Sequence, residues 1–312
     1  MRIRSLFLTV LCAVAGLVST ASAAPADVRF APEGTDLIVR NDGSRVCRNE
    51  VFRKLRAMPN YQKFEQQAQA KLQKAGFTFD DMISADVCVF LDIDGFDINR
   101  PAFSVIVRTG KPLAQKVFAA IDARVAEGKT KSQVRCEKID GKEARVIENA
   151  ENSVAIIALE GDLIQISLNP AKYSVLAKRR GDPLCSIIES ESMISVAYKM
   201  SNSASDLLQR IGGAPIGMIV QGLAEASINV IDGGDSIKFK AEFVYSDSDT
   251  ADDIRGALKL LLKSLQADAA KRDPKKESVI KRIDISGSGK KVIISFVCPN
   301  EEMIQLLSQL FK

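Results

Sequence analysis

The sequence predicts an α+β fold in which antiparallel sheets, built from hairpins, carry helices packed on one face. Three observations predict it. Short β-prone runs meet at turns rich in Gly and Asp: Asp140–Gly141 separates VRCEKI from KEARVI, and Glu160–Gly161–Asp162 separates VAIIAL from LIQISL. In the same way Asp232–Gly233–Gly234–Asp235 separates SINVI from SIKFKAEFVY, and residues 286–289 separate KRIDI from KKVIISFV. Apolar residues alternate within the runs, so that Val292, Ile294, Phe296 and Cys298 share one strand face. Segments with helical spacing and capping residues lie between the hairpins.

Each element follows in order. DLIVR (Asp36 to Arg40) reads as the first strand. Asn49 starts a helix that Pro59 interrupts, and a second helix runs from Asn60 to Gly76, sparsely apolar at Tyr61, Phe64, Ala68 and Leu72. A hairpin over 86–109 precedes a helix opened by Pro112, with Leu113, Val117, Ile121 and Val125 on one stripe. Hairpins fill 133–168. Asn169–Pro170 then reads as a cap and first helical position for a helix ending at Arg180 and Gly181.

The second half opens with a strand over Met193 to Tyr198 and a helix over 204–225, followed by a hairpin over 227–245. In the helix over 250–271, Thr250 supplies a capping hydroxyl, Asp252 and Asp253 sit in the first turn, and Ile254, Leu258, Leu261 and Leu265 form the stripe. A hairpin over 280–298 and a helix from Glu301 to Phe311 complete the chain. The two halves repeat in element type and order, the second lacking one hairpin. A structural duplication and a plain alternation of hairpins with helices both produce this order. The connector GDPLCSIIESES (181–192) divides the chain into a first half, 24–185, and a second half, 190–312.

Residues 1–23 read as a secretory signal peptide: Arg2 and Arg4 supply positive charge, Leu6 to Val18 is mostly apolar, and Ala21–Ser22–Ala23 offers a cleavage site. Leu11 before Cys12 lacks the small residue that precedes a lipidated cysteine. The expected product is exported, periplasmic or secreted, and soluble, because no later run reaches the ~18 to 20 apolar residues of a spanning helix. The nearest run, Ile211 to Ala224, is short and rich in Gly and Pro, and reads as a buried helix or tight packing. Cys47, Cys88, Cys136, Cys185 and Cys298 lie far apart, without a C-x-x-C pair, which disfavours zinc and thioredoxin-like chemistry and leaves any disulfide pairing open.

The chain has no histidine, which removes Ser-His-Asp and Cys-His nucleophiles and nearly all common zinc and copper sites. The remaining motifs reduce to ordinary structure. Ser278 and Lys281 have the S-x-x-K spacing without its companion elements. Asp92, Asp94 and Asp97 lack the glycine position and the closing Glu of a calcium loop. The stretch from Gly287 to Lys291 lacks the spacing of a phosphate loop and is flanked by strands. The basic runs 178–180 and 271–276 lack interleaved aromatics, and 43 basic against 39 acidic residues give no pull toward nucleic acid. Aspartates 247, 249, 252 and 253 read as helix-start residues. No catalytic residue, metal or cofactor is predicted.

The early DLIVR strand, Ala75–Gly76–Phe77 before Asp80–Asp81, and the KIDGKEA hairpin together resemble a loose group of exported bacterial proteins of unknown function with a duplicated α+β layout. The resemblance implies export and fold, and transfers no active-site residue. The expected function is a non-enzymatic binding or assembly factor of the cell envelope, for a macromolecule or an apolar ligand. The alternative is a carboxylate-dependent hydrolase of an envelope or extracellular polymer. Without tryptophan and with only four tyrosines, the chain is poor in the aromatics of a sugar cleft.

Overall fold

In the computed structural model, the described residues are 28–308 except 33, 74–77, 84, 93–101, 110–111, 129–131, 171, 177–183, 185–186, 201–218 and 273. The predicted leader, Cys12, Cys185, Asp94, Asp97, the basic run 178–180 and residues 181–183, 185 and 186 of the connector lie outside them. The fold is α+β, as expected, and among the described residues it has twelve strands whose pairings within each unit are all antiparallel. The chain divides into two compact units, residues 1–182 with 304–312, and residues 183–303.

The first unit holds β1 (Leu37–Asn41), β2 (Asp86–Leu91), β3 (Phe103–Arg108), β4 (Gln133–Ile139), β5 (Lys142–Glu148), β6 (Ser153–Glu160) and β7 (Leu163–Leu168) in the order β1-β2-β3-β7-β6-β5-β4. Asp140 and Gly141 both have positive φ (48° and 78°), as the two-residue turn closing β4 onto β5 requires. Between β1 and β2 run α1 (Gly43–Arg48), α2 (Glu50–Arg56), α3 (Pro59–Gln73) and α4 (Phe79–Ile83). Asn49 ends α1 with its backbone N–H and caps α2 with its side chain, accepting from Val51 N at 3.0 Å. Helix α5 (Leu113–Ala126) packs Leu113, Ala114 and Phe118 onto Ile156 and Ile164 of the sheet. Of its predicted stripe, Val117 and Ile121 flank this core while Val125 is exposed. Arg145 of β5 lies 4.5 Å over the Phe118 ring and grips Asp122 through two bonds of 2.9 and 2.8 Å, clamping helix to sheet.

The second unit holds β8 (Ser192–Lys199), β9 (Leu223–Asp232), β10 (Ser236–Tyr245), β11 (Ile283–Ser286) and β12 (Lys291–Pro299) in the order β8-β9-β10-β12-β11. Setting aside the β4–β5 hairpin, the first unit follows the same path, β1-β2-β3-β7-β6. Its helices are α6 (Ser248–Arg272), α7 (Pro274–Ile280) and α8 (Asn300–Ser308), the last reaching across the unit boundary in sequence.

Three expectations are corrected. Residues 172–176 are not helical: Asn169 has φ 44° and turns its side chain to the strands, accepting from Ser153 N at 2.7 Å and donating to Asn152 at 2.9 Å. The helix expected to reach 225 gives way to a turn at 221–222 and to β9 from Leu223, because the β-branched run that follows pairs with β8 and β10. Helix α6 begins at Ser248, and its cap is Asp247, not Thr250. Asp247 accepts from Thr250 N at 2.7 Å and Thr250 Oγ1 at 2.9 Å, contacts that hold its carboxyl below the usual range.

Candidate binding face

The sheet of the second unit has two unlike faces, set by strand alternation and register. On one face the side chains lie in rows across the strands. Tyr198, Ala226, Phe243 and Val292 form one row. Val196, Ile228, Ala241, Ile294 and Ile285 form the next. Ile194, Val230, Phe239, Phe296 and Ile283 form a third, with Phe239 and Phe296 stacked at 6.1 Å. The β-branched and aromatic residues that make these segments strands also make this face almost wholly apolar.

Helix α6 covers only part of it. Ala251, Ile254 and Leu258 are buried against Val292, Ile285 and Tyr245, with Phe243, Ala226 and Ile294 at the edge of the cluster. The third row stays half-buried from Ile194 to Ile283, and Ile228 in the second is 51% exposed. The predicted α6 stripe is divided likewise: Ile254 and Leu258 are buried, while Leu261 and Leu265 are 53% and 48% exposed, and Leu260 beside them is 69% exposed. Apolar surface on the sheet and on its covering helix is therefore left in water. Contiguous apolar surface of this kind is characteristic of binding and association sites.

The opposite face carries a buried polar layer. Ser195, Ser227 and Asn229 are buried there, and Asn229 holds the segment before β8 by accepting from Glu189 N and donating to Ile187 O, both at 3.2 Å. Lys240 joins Glu189 at 2.5 Å and Glu242 at 3.7 Å, and the Glu189 bond raises its pKa. These satisfied groups fix the sheet and leave no open reactive set.

The first unit buries a charge cluster that charge patterning did not single out. Asp86 at the start of β2 is 0% exposed; its Oδ1 accepts from Gly43 N at 3.1 Å, and its Oδ2 has no hydrogen-bond partner. Asp42 caps α1 by accepting from Arg45 N at 3.0 Å and Ser44 Oγ at 3.1 Å, and pairs with Arg40 at 3.5 Å. Burial, and then the Asp42 carboxylate, push the Asp86 pKa up to about 8, while burial lowers that of Arg40. Two carboxylates with unlike environments would suit acid–base chemistry. Both are sealed from solvent here, so the cluster holds β1, β2 and α1 together and offers no substrate an approach.

The residues singled out by motif separate. Lys281 pairs with Glu277 at 2.6 Å, and Ser278 offers its carbonyl to Arg282. Residues 287–290 form the β11–β12 turn, and Lys291 opens β12. Asp252 pairs with Arg255 at 2.6 Å. Cys47, Cys88, Cys136 and Cys298 are not joined in disulfides, and burial pushes Cys47 up to about 12. Among the described residues no group of three or more His, Cys, Asp or Glu could hold a metal, and no helix is long and apolar enough to cross a membrane.

No family model matches the sequence, and no curated protein matches it. Solved structures of TP0453 are similar in outline. Crystal form III is 10% identical with a TM-score of 0.46, covering 93% of this chain and 100% of that one. Form I is 11% identical with a TM-score of 0.44, covering 94% and 100%. Form IV is 10% identical with a TM-score of 0.44, covering 90% and 96%. Likeness at this level carries no argument about what this chain does.

Proposed function

We propose that the protein is exported and serves in the cell envelope as a non-catalytic binding factor, receiving an apolar ligand on the half-covered face of its second unit. The exposure of Ile228 on the sheet together with Leu261 and Leu265 on α6 carries the reading, since each keeps apolar area in water that a ligand would remove. The all-apolar rows give such a ligand area without directional demands. The hydrogen-bonded layer of Ser195, Ser227 and Asn229 and the buried carboxylates favour holding over bond-breaking.

Native mass spectrometry of the protein purified from an envelope fraction, with anilinonaphthalene sulfonate titration of the stripped protein, tests this. A bound apolar mass and a saturable dye site are expected. Ile228→Asp and Leu261→Asp, both at exposed positions, should weaken dye binding about tenfold, a loss of roughly 1.4 kcal/mol, with the melting temperature unchanged. Dye binding untouched by both substitutions, with no co-purifying mass, overturns it.

A further inference from the structure

A cleft of different chemistry lies in the first unit. Helices α2 and α3, separated by Ala57 and Met58, border an open cleft of about 680 Å³ lined by Arg53, Arg56, Gln62, Glu65, Gln66 and Gln69. Behind these helices Tyr61 packs edge-on against Phe52 and Phe64, and Phe64 against Phe79, with Tyr61 and Phe79 buried, which anchors α3 to α2 and α4.

The two arginines differ. Arg56 is fully engaged, donating through Nε to Glu65 at 3.0 Å and through Nη2 to Asp80 at 2.6 Å, with Phe79 under its guanidinium at 5.9 Å. Those bonds, Glu65 foremost, raise its pKa, so it belongs to the wall. Arg53, one turn earlier on the same helix face, is exposed and makes neither an ion pair nor a side-chain hydrogen bond. It is a planar five-donor fork aimed at a cleft whose own carboxylate is already spent on Arg56.

Across the cleft, Gln62, Gln66 and Gln69 follow one another at helical spacing on one face of α3. Gln69 Oε1 accepts from Phe79 N at 2.5 Å, which leaves its amide N–H groups for a ligand. Each glutamine amide matches a peptide group in donors and acceptors, and a row of them suits an extended main chain. Among the described residues no aromatic ring lines the cleft, so sugars and nucleobases find no stacking surface on them. Glu65 in the wall disfavours a dianionic phosphate over a singly charged carboxylate.

We propose that this cleft binds an acidic extended peptide segment, a carboxylate seating on Arg53 and the peptide main chain running along Gln62, Gln66 and Gln69. The site goes beyond the apolar face and stands independently of it.

The test uses the full chain and a fluorescein-labelled octapeptide alternating Glu with Ala, followed by anisotropy. Saturable binding is expected, lost about tenfold in Arg53→Gln and several-fold in Arg53→Lys, which keeps the charge but not the fork. Gln66→Ala should weaken it about threefold, and Lys63→Gln, outside the cleft, should leave it unchanged. The Arg53 side chain is exposed and makes no hydrogen bond or ion pair, so its variants should melt as the wild type does. Failure of the octapeptide to bind, equal binding of its Gln-for-Glu counterpart, or insensitivity to Arg53→Gln overturns the proposal. Competition by inorganic phosphate at concentrations where acetate has no effect would also overturn it, in favour of a phosphate site. None of these readouts depends on an apolar ligand.

Discussion

Gly287→Ala should cost about 3 kcal/mol or more of unfolding free energy, whereas Gly289→Ala, two residues away in the same turn, should cost about 1 kcal/mol. Gly287 has φ 120°, a conformation that L side chains rarely adopt, and a Cβ there would lie 2.2 Å from the carbonyl oxygen of Lys291. The next nearest atoms, Lys291 C at 3.0 Å and Val292 Cα at 3.2 Å, are also backbone, so no side chain can swing aside. The displaced strand is β12, whose Val292 is wholly buried beneath α6. Gly289, with φ 55° and nothing within 4 Å of its added Cβ, meets only the ordinary left-handed penalty. Urea unfolding of both variants separates the effects: equal midpoints would show that the turn relaxes freely, contrary to this account. Because β12 supplies Ile294 and Phe296 to the apolar face, the destabilised variant should also lose dye binding.

That turn was legible in the sequence because hairpin chemistry is local: Asp and Gly between β-prone runs marked the turns later found at 140–141, 161, 233–234 and 287–289. Local signals failed where a tertiary partner competed. Asn169–Pro170 has the composition of a helix start, but Asn152 and Ser153 claim the Asn169 side chain and fix it at the end of a strand. The α6 stripe was legible as apolar, but not which half of it is covered. Periodicity reports what a helix could bury, and the extent of the opposing sheet decides what it does bury.

The candidate sites were less visible still. Rows such as Ile194, Val230, Phe239 and Phe296 join the local β9–β10 hairpin to β8 and β12, whose pairings span longer separations, so the half-covered face has no signature within any one segment. Arg40 and Asp86 lie in β-prone runs where a charge would ordinarily face water, and only the pairing of β1 with β2 encloses them. The free guanidinium of Arg53 could be told from the engaged one of Arg56 only once Glu65 and Asp80 were placed.

Asp86 should make the protein less stable as pH rises from about 5 to 8, against the usual behaviour of a carboxylate in an ion pair. Its folded pKa, about 8, lies above the ordinary value of 3.8, because burial outweighs the opposing pull of Arg40 and the Gly43 N–H. Between those two values the native state holds a proton that the unfolded chain has released, so unfolding gains as protons become scarcer. The contribution is fully present below 3.8, fades as pH climbs and is gone above about 8, with a total on the order of a few kcal/mol. The charged neighbours are Asp42, Arg40 and Arg108, and the Asp42 carboxylate opposes a second negative charge at the same spot. Asp86→Asn mimics the protonated acid: its Oδ1 can still accept from Gly43 N, and no ionisation follows. The variant should lack this slope, so that its margin over the wild type is small near pH 5 and grows steadily toward pH 8. Urea midpoints measured at each pH unit from 5 to 8 decide the matter. Parallel curves for the two proteins would mean that Asp86 is ionised in the native state and that its charge is balanced by Arg40. Convergence at low pH with divergence at high pH would fix the buried carboxyl as neutral, a group that joins β2 to α1 by accepting one hydrogen bond.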